Sequence, residues 1–157
     1  MVNLSKYSFG ATAAIATSLA IIAGLDAFSN AKIGMIGALL VIGLADNISD
    51  SLGIHIYQES TCTTPKSNSA AHTVSNFLTR LMLTLVFIGI VYFVPIAYAA
   101  IVAAIFGLGI LSVMSYFIAL NQRVNPYKAI LQHVGITVIV LLVSHFIGIF
   151  IKALFPG

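Results

Sequence analysis

The stretch GLADNISDSLGIHIY, residues 43–57, decides how the whole chain is read. It lies inside an apolar run long enough to cross a membrane, yet it holds Asp46 and Asp50, two of the four acidic residues in the protein. A charged side chain near a bilayer centre costs about 2.5–3.5 kcal/mol on insertion scales, so such residues face a bundle interior or a wet path and mark function. At about 100° per residue, Asp46, Ser49, Asp50, Gly53 and Tyr57 fall on one helical face, with His55 opposite. The two carboxylates stand one turn apart, about 6 Å at 1.5 Å rise per residue.

The composition around this stretch sets the class. Of 157 residues, 60% are hydrophobic and only 7% charged, with a mean hydropathy of +1.08. Soluble domains carry about 25% charged residues, and a chain this poor in charge cannot cover a water-facing surface. The net charge of +3 comes from seven basic residues scattered along the chain. They form no patch for nucleic acid and read as topology determinants. The single cysteine, Cys62, excludes an intrachain disulfide and a multi-cysteine metal site.

The expected fold is an all-α integral membrane protein with five transmembrane helices in one domain, residues 1–157. The first span covers about 7–25. It is long for a signal-peptide core, and Leu25-Asp26-Ala27 makes a poor cleavage site. Gly10, Ala14 and Ser18 recur on it at four-residue spacing, a stripe that lets another helix approach closely, within the protomer or across a dimer. The second span is about 33–57, followed by a hydrophilic connection, 58–76, that reads as a mobile loop. From 81 to 120 the sequence is almost unbroken apolar residues, twice what one crossing needs. Pro95 marks the turn between a third span at about 77–94 and a fourth at about 96–120. After a polar turn with Arg123 and Pro126, the fifth span runs over about 129–154, with His133, Thr137, Ser144 and Gly148 on one stripe. Lys6, Lys66, Arg80, Arg123 and Lys128 on one side, against Lys32 and Lys152 on the other, favour N-in, C-out.

A family resemblance adds to this reading. FGATAAIATSLAIIAGL at 9–25 is similar to the first span of the vacuolar iron transporter family, and ADNISDSLGIHIYQES at 45–60 resembles that family's second-span signature. Residues 121–148 resemble its last loop and fifth span more loosely. The resemblance implies a five-helix protomer, a homodimer with its path between the first two spans, and export of Fe(II) or similar ions from the cytosol in exchange for protons. The family's first-span aspartate falls at Ala13, its second-span methionine at Asp50 and the glutamate after it at Ile54. The cytoplasmic metal-binding helices between spans two and three are replaced by residues 58–76.

Carboxylate, amide and imidazole donors suit Mn(II), Fe(II), Co(II) or Zn(II), and the lack of thiolate or thioether argues against Cu(I). The metal-ligand candidates are Asp50, Asp46, Asn47 and His133, doubled if a two-fold axis runs beside the second span. Ser49, Gly53, Tyr57 and Ala13 are candidates for the transport path, and Gly10, Ala14 and Ser18 for dimer packing. Against the metal role stand neutralisation of Asp50 by Arg80, a proton or monovalent-cation role, and for Asp46 a structural hydrogen bond. For His133 the alternative is a bond to a backbone carbonyl. No nucleophile-base pair, phosphate-binding glycine loop or His-x-x-x-His helix is present, so no enzyme and no permanently bound cofactor are expected. The expected function is divalent-metal transport, Fe(II) or Mn(II), coupled to protons. The alternatives are a proton-coupled carrier or channel for another small cation, or a scaffold that keeps the fold. The expected partners are a second copy, the bilayer, the ion and protons, and the expected location is a prokaryotic cytoplasmic membrane.

Overall fold

The computed structural model describes residues 5–28, 32–60 and 66–155, with side chains left aside at 5–7, 58–59 and 66–72. Five helices account for nearly all of these residues: α1 (Ser5–Phe28), α2 (Lys32–Ser60), α3 (Lys66–Phe93), α4 (Ile96–Gln122) and α5 (Pro126–Leu154). All five contain a stretch long and apolar enough to cross a membrane. This is an all-helical integral membrane architecture, because isolated helices satisfy every backbone group internally where no water is present.

The punctuation of the chain is local chemistry. Pro95 stands between α3 and α4 and has no N–H to give to a continuing helix. Helix α4 ends on Arg123 in the left-handed conformation (φ 56°, ψ 34°). There the Arg123 N–H bonds the Leu120 carbonyl at 3.2 Å and the Val124 N–H the Ala119 carbonyl at 3.0 Å. That closes the helix end in a Schellman-type turn without glycine. Asn125 then caps α5, its side-chain oxygen accepting from the Tyr127 N–H at 3.0 Å. Pro126 takes the first helical position, where a missing donor costs nothing.

One boundary differs from expectation. The 58–76 segment is not one connecting loop: α2 continues to Ser60 and α3 already begins at Lys66, leaving only 61–65 outside the described residues. Hydropathy marks where the bilayer ends, whereas a helix can run on through polar Ser, Asn and Ala. Cys62 falls in that outer segment, and the side chains of Lys6, Lys66 and His72 also lie outside the description.

Helix α1 is the axis of the bundle and packs against all four others, α2 pairing with α3 and α4 with α5 around it. Its central residues Ile15, Leu19 and Ile22 join Met35, Leu39, Phe87, Val91 and Leu111 in the buried core. Phe87 and Phe106 meet edge to face with centroids 5.9 Å apart. The closest helix pair is α1 with α5. A Cβ on Gly148 would stand 2.2 Å from the Gly24 carbonyl oxygen and 2.9 Å from the Ala27 Cβ. Only glycine fits there, as in small-residue packing of membrane helices generally. The outer surface is apolar, with Ile105, Val113, Ile139 and Phe146 each more than half exposed, as expected when lipid is the solvent.

Candidate charged site between helices α1, α2 and α3

The apolar core occupies one half of the bundle. A polar seam between α1, α2 and α3 is organised by Arg80. This arginine lies on α3 inside the third candidate span and is 1% exposed. Its Nη2 donates to Asp46 Oδ2 and its Nη1 to Asp50 Oδ2, so one guanidinium holds both carboxylates of α2. The fork geometry explains the residue type: two carboxylates one helical turn apart need two divergent N–H donors from one planar group. Thr17 of α1 donates to the same Asp46 oxygen at 3.1 Å, tying three helices to one acid.

Two amides extend the α2–α3 seam. Asn47 donates from Nδ2 to the Phe77 carbonyl at 3.0 Å, and Asn76 from Nδ2 to Ser51 Oγ at 3.3 Å. Asn47, Ser51 and Asn76 are all buried. Within a protein surrounded by hydrocarbon, such bonds register one helix against the next, because any slip leaves polar groups unpaired. Asn47 Oδ1, Asn76 Oδ1 and Arg80 Nε are buried without a hydrogen-bond partner.

The seam is closed by a glycine. A Cβ on Gly10 would lie 2.5 Å from Asn76 Oδ1 and 3.2 Å from Arg80 Cγ. Gly10, Ala14 and Ser18 are buried within the protomer, which corrects their assignment to dimer packing: the stripe lets α1 close over the Arg80 seam. Gly10→Ala is expected to destabilise by about 1–3 kcal/mol, the usual range for overpacking, because the new Cβ also meets the Asn76 backbone oxygen at 3.0 Å, which cannot turn away. Adding Asn76→Ala should cost less than the sum of the two changes, as read by thermal unfolding of the double-mutant cycle.

The exposure of the three charges is uneven. The Arg80 side chain is 2% exposed, against 35% for Asp46 and 36% for Asp50. The cation is therefore sealed behind its anions, and the carboxylates form the outer rim. Two carboxylates and one guanidinium sum to −2 + 1 = −1 when all are ionised. Arg80 engages the Oδ2 atom of each carboxylate.

The face read from sequence is turned relative to the bundle. The buried stripe of α2 is Met35, Leu39, Gly43, Asn47 and Ser51, while Ser49, Gly53 and Tyr57 are exposed. Asp46 and Asp50 sit on the border between the two faces. Ala13 is half-buried on α1. The proposed ligand set is only partly assembled. Asp46 and Asp50 come together, but the Asn47 amide is committed to α3. His133 is on α5, which packs on α1 and α4. Its Nδ1 lies 2.9 Å from Ser115 Oγ. The same Ser115 hydroxyl lies 2.7 Å from the Leu111 carbonyl oxygen. A serine on α4, and not a backbone carbonyl, is thus the partner of His133. Among the described residues no three His, Cys, Asp or Glu side chains form a group able to hold a metal, which separates His133 from the acids.

Arg80 also leaves the topology count. Buried on Asp46 and Asp50, it is no loop cation, and the asymmetry becomes four basic residues to two. Sequence reasoning missed Thr17, Ser51 and Asn76. Small polar residues occur throughout these spans, and only the helix pairing selects the ones that meet the charges.

Comparison with family profiles, curated proteins and solved structures returned no match, so the likeness to the vacuolar iron transporters rests on residues 9–25, 45–60 and 121–148 themselves.

Proposed function

We propose that the protein is a membrane transporter of a small cation, with the Asp46–Arg80–Asp50 cluster as its charge-selective element. The observation that carries this reading is the two-to-one pairing of acids and base: one sealed guanidinium holds two carboxyl groups at the rim of α2, a helix long and apolar enough to span a membrane. An unbalanced charge there is unfavourable in hydrocarbon, so the cluster, with both acids ionised, favours one added positive charge. A proton or a metal ion at the carboxyl groups meets that need, and competition between the two provides a physical basis for exchange. The resemblance to vacuolar iron transporters makes a divalent ion, Fe(II) or Mn(II), the first cargo to test. It also supports export from the cytosol and a homodimer, while the basic-residue asymmetry supports an N-in, C-out protomer. A partner across the exposed Ser49–Gly53–Tyr57 face of α2 would double the carboxylates at the axis.

A second reading is specifically favoured by Arg80. A cation fixed beside both acids opposes a second, doubly charged ion, which supports proton-coupled movement of a monovalent species. Thermal unfolding of the purified chain with Mn(II), Fe(II), Co(II) and Zn(II) separates the two. Under the metal reading, at least one ion stabilises the wild type, by about 2.7 kcal/mol at one hundred times its dissociation constant, and Asp50→Asn abolishes the effect. If no ion shifts unfolding, the metal reading fails. Proton flux into liposomes that is lost in Asp50→Asn then supports the second. A folded protein that moves neither would be a scaffold.

A further inference from the structure

An apolar groove of about 450 Å³ opens between α1, α2 and α5, away from the charged cluster. Its floor is made by small residues, Ala20 and Gly24 of α1, Ala38 of α2 and Gly148 of α5, and its mouth by Phe28 and Ile151. Helices α1 and α5 run in the same direction here, since Gly24 lies against Ser144 and Gly148 and Ala27 lies against Gly148. The C-terminal ends of both helices therefore stand at the same membrane boundary. From Phe28 down to Ala20 the groove descends about 12 Å at 1.5 Å per residue. One leaflet of hydrocarbon is about 15 Å deep, half of the 30 Å core.

We propose that this groove holds one acyl chain of an anionic phospholipid from the leaflet at the Lys32 and Lys152 end. Depth is the first argument: the groove spans a single leaflet, as a lipid tail does, whereas a docked transmembrane helix would continue across. Volume is the second. The space, about 450 Å³, lies in the range of sites for one small ligand. Charge is the third. Lys152 is exposed and directly follows Ile151 at the mouth. Lys32 opens α2 at the same boundary and donates to the Tyr92 carbonyl at 2.6 Å. The half-buried Asp26 lies in the last turn of α1 near that level, so among the described residues at this boundary two basic residues stand against one acid, a balance that favours a phosphate.

The test is native mass spectrometry of the full chain from mild detergent, with phosphatidylglycerol and phosphatidylcholine of matched tails. The wild type should keep one lipid per chain and prefer phosphatidylglycerol. Ala20→Phe and Ala38→Phe, which fill the floor, should each lose the adduct while keeping helix content and unfolding temperature. Lys152→Glu should keep a bound lipid but lose the preference for phosphatidylglycerol. A wild type that carries no lipid, or phenylalanine variants that retain it, would overturn the proposal. Disulfide-linked dimers formed by Ala38→Cys in bilayers would also overturn it, because the groove would then hold a second copy. If one phenylalanine variant fails to fold, the other still decides, since the two residues sit on different helices.

Discussion

Replacing Arg80 with methionine is expected to destabilise the protein by about 3–5 kcal/mol, the usual cost of removing one partner from a buried ion cluster. The methionine keeps the bulk of the arginine stem but leaves Asp46 and Asp50 without their counter-charge. The informative comparison is the neutral triple variant Arg80→Met with Asp46→Asn and Asp50→Asn. It removes all three charges together and should regain much of the stability, because no uncompensated ion remains. Unfolding temperatures in nanodiscs read both effects. Equal stability of Arg80→Met and wild type would mean that the cluster does not hold α3 to α2.

The triple variant also separates stability from transport. Under the proposed role of the cluster as charge-selective element, it should be folded and inactive in any ion-flux assay. A folded triple variant with wild-type flux would remove the cluster from the transport path.

Gly148→Ala is the second large effect. The added Cβ would stand 2.2 Å from a backbone oxygen and 2.9 Å from another Cβ, and neither is the end of a flexible side chain. Helices α1 and α5 must separate, at a cost of about 1–3 kcal/mol or more. The control is Gly53→Ala, where the new Cβ meets nothing within 4 Å. There the better helix propensity of alanine should give a gain of up to about 1 kcal/mol in the protomer. A loss at Gly53 in membranes would therefore report a second molecule on that face. The measurement is thermal unfolding of each variant beside its oligomeric state.

The two glycines show what pattern reading reaches and where it stops. Both occur in apolar spans at positions that suit close helix approach, and the sequence treats them alike. Gly148 lies against α1, whereas a Cβ on Gly53 would meet nothing within 4 Å among the described residues, because the direction each helix presents to its neighbours is set by the bundle. Membrane helices are apolar all round, so periodicity gives little guide to the inward side. The same ambiguity displaced the α2 face: Asp46 and Asp50 were identified, but Ser49 and Gly53 were grouped with them when Asn47 and Ser51 point inward.

The amino-acid sequence by itself determined the membrane class, the five membrane-length helices, the Pro95 turn and the presence of Asp46 and Asp50 inside one of them. Each follows from a cost that depends on one segment alone: apolar length, a missing backbone donor, or a charge inside hydrocarbon. Only the tertiary structure decided that Arg80 serves both acids, that Gly10, Ala14 and Ser18 are used inside the protomer, and that His133 belongs to Ser115. Those are pairings between helices distant in sequence, fixed by which faces meet when α1 is enclosed by the other four.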